Sequence, residues 1–178
     1  MNLDLAIAHP FAAEQRAARV TTARGRFDDV LRRHHAMLRR VAAGVLADVD
    51  ALDDVMQDAY LKAFRALPAS FANEAHEAAW LYQVVYRTCL DELRRRRRRP
   101  RQVEAAYELP APPSDPGEPL AVRQALRLLT PDDRAALLLV DLAGLDYETA
   151  AAILAVPRGT LASRLNVARS RFRKALDG

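Results

Sequence analysis

Cysteine is almost absent: Cys89 is the only one in 178 residues. An intrachain disulfide is therefore excluded, which suits a reducing compartment, and a lone thiol inside a helical pattern reads as a small core side chain. The four histidines fall at no metal-ligand spacing, so no metal site is expected. No glycine-rich loop and no nucleophile–base pair is evident, which argues against an enzyme and against a bound cofactor. No apolar run approaches the ~18 residues of a membrane span. The opening MNLDLAIAHP has neither a cationic start nor a long apolar core, so a signal peptide is not expected. These absences point to a cytoplasmic protein that does not insert in membranes.

Charge is abundant but nearly balanced. There are 27 Lys+Arg against 23 Asp+Glu, a formal net charge of +4. Its distribution says more than its total. Residues 26–99 carry 14 basic and 11 acidic side chains, and residues 120–178 carry 9 and 6. The intervening 100–119 has one arginine and four acids. Two mildly basic blocks joined by an acidic strap favour a polyanionic partner.

The chain is organised around Ala79–Arg99. Trp80, Leu81, Val84, Val85 and Thr88 recur at helical spacing, and Tyr82, Cys89 and Leu93 widen the apolar arc. So broad an arc predicts a central helix gripped from several sides. Gln83, Arg87, Arg94 and Arg98 form a polar stripe, and the helix enters six consecutive arginines. That pattern fits a scaffold helix that also holds nucleic acid, or a solvated charge run at a helix C-terminus.

Before it, Phe27, Val30, Leu31, His34, Leu38, Val41 and Val45 mark one helical face, and residues 1–25 read as an extension without an assigned role. Asp48 to Asp50 reads as a turn and cap. Leu52, Val55, Met56, Ala59, Tyr60, Ala63, Phe64 and Leu67 form a second helical series, stopped by Pro68. Asp53, Asp54, Gln57 and Asp58 lie on its other face. Such acids suit the N-terminal end of a helix dipole, and equally a docking face for a basic partner. Residues 69–78 read as a polar loop.

Six prolines between 100 and 119 mark a semi-stiff linker and a domain boundary. Beyond it the pattern is helical again: Leu120–Leu129, then Thr130-Pro131 opening a helix to Leu142 with Gly144 as its stop. Asp146 caps Tyr147–Leu154, and Pro157 opens a last helix through Leu176. A short helix, a tight turn and a longer helix with a polar face is the helix-turn-helix pattern. Its second helix would offer Arg158, Gly159, Thr160, Ser163, Arg164, Asn166 and Ser170 to bases and phosphates. An ordinary helical hairpin with a solvated face would show the same polarity. The fold expected is all-α, with two small helical domains at 26–99 and 120–178.

The order of these pieces resembles an extracytoplasmic-function (group IV, sigma-70 family) RNA polymerase sigma factor. The residues carrying the resemblance are Asp53-Asp54-Val55-Met56-Gln57-Asp58, Ala79-Trp80-Leu81-Tyr82, Leu90-Asp91-Glu92-Leu93-Arg94-Arg95, Leu142-Ala143-Gly144-Leu145-Asp146-Tyr147-Glu148 and Val156 through Leu165. The resemblance spans about 27–176. It implies that Asp53, Asp54, Gln57 and Asp58 dock on the clamp helices of the largest subunit of core RNA polymerase. It implies that residues 69–78, with Asn73, Trp80, Gln83, Arg87, Arg94, Arg95 and Arg98, capture the melted −10 strand, and that the last helix reads the −35 element of promoter DNA. An anti-sigma protein is an expected partner, and nucleoid association an expected state when active. Ala51, Gln83, Tyr86, Arg87, Ala162, Asn166 and Glu77 depart from the residues frequent in that family. A DNA-binding regulator that ignores polymerase, and a sigma-like decoy for an anti-sigma protein, are the competing readings.

Overall fold

The computed structural model describes residues 10–47, 50–98 and 120–177, with side chains from Thr22 onward. Within them every element is helical: α1 Pro10–Leu46, α2 Leu52–Arg65, α3 Glu74–Arg98, α4 Leu120–Arg127, α5 Pro131–Leu137, α6 Tyr147–Leu154 and α7 Arg158–Asp177. The expected turn at Asp48 and the 100–119 linker fall outside the described residues.

Helix α1 is longer than its apolar stripe. It runs unbroken for 37 residues, because the Ala- and Arg-rich stretch before Phe27 has high helix propensity. From Phe27 the stripe takes over, and Phe27, Val30, Leu38, Val41 and Val45 are buried. Helix α2 buries Leu52, Val55, Met56, Ala59 and Ala63. Its N-cap is Ala51, which supplies no side-chain bond, so the cap is not the aspartate expected from the sequence.

Helix α3 begins five residues earlier than the apolar pattern suggests. The reason is a cap: Asn73 Oδ1 accepts from the His76 backbone N–H at 2.9 Å, satisfying one of the first turn's free donors. Residues 74–78 are thus helical and the loop ends at Asn73. Helix α3 is central, packed by α1 and α2 on one side and by α6 on another. Cys89 lies fully inside, and burial pushes its thiol up to about 12, which leaves it protonated and unreactive.

In the second block Thr130 caps α5 through Asp133 N–H. The helix then loosens into a π-helical segment, Leu138–Leu142, and stops at Gly144, whose φ of +72° suits a residue without Cβ. The two blocks are not separate bodies here. Their buried residues form one continuous apolar cluster. Leu138 lies over Gly44, close enough that a Cβ there would come within 2.5 Å of Leu138 Cδ1. Arg127 Nε also donates to the Ala47 carbonyl at 3.2 Å.

Candidate nucleic-acid and docking interface

Helix α7 is aimed by its neighbours. Asp146 Oδ1 accepts from the backbone N–H of Glu148 and Thr149, both at 2.9 Å, which fixes the start of α6. These bonds, Thr149's first, hold the Asp146 carboxyl below its ordinary value. Helix α6 ends in a left-handed residue, Ala155 (φ 54°), with Val156 N–H donating to the Ala151 carbonyl at 3.0 Å. This is the Schellman closure that makes the turn tight. Arg169 then braces α7 from behind: Nε and Nη2 bond the two oxygens of Asp141 at 2.9 and 2.5 Å, and Nη1 donates to the Tyr147 hydroxyl at 3.2 Å.

A carboxyl whose folded value is lowered contributes stability above its unfolded value, ~3.9, and loses it as pH falls through the folded one. Replacing Asp146 by Ala should therefore lower the urea midpoint at pH 7, and the gap to wild type should narrow as pH falls below 4, while Asp146→Asn should keep much of the cap at both. An unchanging gap between wild type and the alanine variant would remove the carboxylate from the turn's stability.

With Leu161, Leu165 and Ala168 buried, the opposite face of α7 is solvent-facing. Arg158, Gly159, Thr160, Ser163, Asn166 and Ser170 are all exposed along it. Gly159 has nothing within 4 Å of where a Cβ would sit, so no packing inside the chain requires glycine there. Arg164 differs from the others: it is half-covered, with Nη1 3.7 Å from Asp132 Oδ2. Asp132 also accepts from the Tyr86 hydroxyl at 3.4 Å. Burial, and then Asp132, push that phenol up to about 12, so it stays a donor. Leu176, near the end of α7, is 41% exposed.

On α3 the expected stripe is only partly free. Arg87 is exposed and Gln83 half-buried. Arg94 and Arg98 are exposed, Arg94 lying 3.5 Å from Asp91. Arg95 and Arg96 turn back onto Glu92 at 2.7 and 2.8 Å. Glu92 is buried, and Arg95 foremost holds its carboxyl below the usual range. Trp80 is half-buried and meets Phe71 with ring centroids 5.5 Å apart, an aromatic pair at the foot of the 69–73 segment. Asn73 is exposed, but its side-chain oxygen is occupied by the α3 cap.

On α2, Asp54 and Gln57 face solvent. Asp53 is tied to Arg39 at 2.5 Å and Asp58 to Lys62 at 2.9 Å. Beside them runs a groove of about 610 Å³ lined by Phe27, Met56, Gln57, Tyr60, Leu61 and Phe64. Leu61 and Phe64 are 48% and 37% exposed. The sequence pattern assigned Phe64 to the core and gave Leu61 no role. Both lie in the C-terminal half of α2, where the helix is left partly uncovered, which no single-helix pattern reveals.

Residues 30–99 match the family described as Sigma-70 region 2, and residues 120–172 match Sigma-70, region 4. The chain therefore belongs to the sigma-70 family, among the extracytoplasmic-function sigma factors. It is similar to the ECF RNA polymerase sigma factor SigM of Mycobacterium tuberculosis, 36% identical over 92% of this chain and 84% of the relative. It is also similar to the RNA polymerase sigma-H factor of Pseudomonas aeruginosa, 31% identical over 83% of this chain and 84% of that one. Among solved structures it resembles the sigma factor RpoE of Bartonella quintana, in complex with the anti-sigma factor NepR. That match has a TM-score of 0.66 and 25% identity, and covers 85% of this chain and 96% of RpoE. Its fold also matches CnrH in complex with the cytosolic domain of CnrY, with a TM-score of 0.62, 90% of this chain and 94% of CnrH. Sigma factors are transcription initiation factors, not enzymes. Among the described residues no helix is long and apolar enough to cross a membrane.

Proposed function

We propose that this chain directs core RNA polymerase to promoters by dividing three contacts among three helices. The α2 face, with Asp53, Asp54, Gln57 and Asp58, docks on the clamp helices of the largest subunit. The 69–73 segment and α3, with Asn73, Trp80, Gln83, Arg87, Arg94, Arg95 and Arg98, hold the melted −10 strand. Helix α7, with Arg158, Gly159, Thr160, Ser163, Arg164, Asn166 and Ser170, lies in the major groove of the −35 element. Catalysis is the polymerase's. The complexes of RpoE with NepR and of CnrH with CnrY support an anti-sigma protein as a further partner. The working place is the cytoplasm, on the nucleoid when active.

The observation carrying this reading is the row of exposed polar side chains on α7, set outward by the burial of Leu161, Leu165 and Ala168. A free hairpin would not need Arg169, Asp141 and Tyr147 to fix the helix's pitch. Run-off transcription with core polymerase on a randomised promoter pool tests it. Enrichment of a two-part motif is expected; binding to core without any transcript would favour the decoy instead.

A further inference from the structure

A pocket of about 550 Å³ lies where the two blocks meet, walled by α1, α4, α7 and the π-helical turn that continues α5. Its size falls in the ~300–1,000 Å³ range of small-molecule sites. Leu126 and Leu138 form a buried floor, and Val122, Leu142 and Phe172 stand half-buried around it. The π-helical turn supplies three of the lining residues, Leu138, Asp141 and Leu142. Such a turn is rare inside a helix and recurs at functional sites. The rim is cationic. Arg40 of α1 and Arg173 of α7 are exposed, and neither has an acidic partner among the described residues. The one carboxylate in the lining, Asp141, is already taken, since both its oxygens accept from Arg169. Three arginines against one aspartate leave the lining with a net charge of +2.

An occupant of this pocket has to be apolar along most of its length and anionic at one end. A peptide helix is too thick, because two turns with side chains, ~10 Å across and ~11 Å long, fill about 850 Å³. A nucleotide would set its polar body against leucine and phenylalanine, where nothing replaces its bonds to water. We propose that the pocket binds a free amphipathic carboxylate, an alkyl chain of medium length ending in one carboxylate. The chain rests on Leu126, Leu138 and Phe172, and the carboxylate sits between the Arg40 and Arg173 guanidinium groups. Arg40 belongs to the first block and Arg173 to the second. The ligand therefore touches both and favours the joined arrangement over any in which the blocks part. The site stands apart from the promoter contacts and does not depend on them.

Full-length protein is titrated by calorimetry with sodium hexanoate, octanoate and decanoate, each below its micelle concentration. Every two methylenes added should tighten binding about tenfold, since one buried methylene is worth roughly a factor of four, until the pocket is full. Decyltrimethylammonium, with the same chain and the opposite charge, should bind at least tenfold more weakly than decanoate. Arg40→Ala and Arg173→Ala should each weaken decanoate about tenfold, as one charge-assisted bond is lost, with helix content unchanged. Decanoate should also raise the melting temperature of wild type, and raise that of either variant less. No binding at any chain length, equal binding of the ammonium, or unaltered affinity in both variants would overturn the site. Loss of affinity in only one variant would confine the ligand to one block and overturn the bridge. Sedimentation with phosphatidylglycerol vesicles that disappears in Arg173→Ala would move the site to a membrane surface and overturn a free ligand. The chain-length and charge comparisons use wild type alone, so they decide the matter even if a variant does not fold.

Discussion

Reversing Asp54 and Asp58 together to Lys is expected to weaken binding to core RNA polymerase by about a hundredfold, with little change in thermal stability. Both carboxylates are on the open face of α2. Asp54 is exposed and lies with Asp58 in a cleft facing Asp91, Glu92 and Arg95 of α3, and Asp58 pairs with an exposed i,i+4 partner, Lys62. Exposed pairs of that kind contribute about 0.3–0.5 kcal/mol, so the fold loses little. Across an interface a close charge pair couples by at least ~1.5 kcal/mol, and two reversals exceed two lost pairs because they add repulsion. Asp53 is the wrong probe, since its bond to Arg39 ties α2 to α1 and its loss mixes folding with docking. Leu61→Ser should weaken binding further, as Leu61 projects beside the acids and is 48% exposed, whereas Phe64 packs its ring against the buried Phe27 and is a poorer probe. Fluorescence anisotropy against core polymerase reads the affinity. Equal affinity of wild type and the double reversal would place the docking face elsewhere on the chain.

What the sequence could reveal divides by the reach of the interaction. Caps and stops act over three or four residues, so Thr130-Pro131, Gly144, Asp146 and Pro157 declared the second block's helices almost residue for residue. The recognition helix was legible for the same reason, because Leu161, Leu165 and Ala168 sit at the period that forces the remaining residues outward. The start of α3 was missed although a local signal existed: Asn73 followed by Glu74 is a cap with a first-turn acid, but no apolar residue follows closely to draw attention to it. Glu77 and Glu92 are both buried carboxylates of α3. Glu92 is neutralised by Arg95 and Arg96 of its own helix, which spacing could have shown. Glu77 is neutralised by Arg33 and His34, over forty residues away, and nothing in a one-dimensional pattern joins them. The π-helical step at 138–142 and the seat of Leu138 on Gly44 are also invisible in sequence. One extra residue in a turn leaves a run such as LLLV equally apolar, and a glycine inside α1 has no reason to be special until another helix crosses it.

Replacing Arg158 and Arg164 together by Ala is expected to abolish −35-dependent recruitment while core binding stays intact. The two arginines should not contribute equally or by the same route. Arg158 is exposed in the first turn of α7, where a recognition helix enters the groove, and a guanidinium forked onto guanine discriminates by about 1–3 kcal/mol. Arg164 is held near Asp132 at 3.7 Å, its side chain 21% exposed, and it reaches Asp132 together with Tyr86 of α3. A long, partly solvated pair of this kind is worth about 0–1 kcal/mol, less than a charge-assisted bond to phosphate. Duplex DNA therefore outcompetes Asp132 for Arg164 instead of being locked out by it. Two consequences can be measured separately. Arg158→Ala should flatten base preference at one −35 position, whereas Arg164→Ala should weaken all duplexes alike and reduce the salt slope by about 0.9 for one lost phosphate. Asp132→Asn should do the opposite of Arg164→Ala, modestly tightening duplex binding by freeing the guanidinium. If instead it tightens binding by a hundredfold, the Tyr86–Asp132–Arg164 bridge is a lock and the two helical blocks must part before the −35 element can be read.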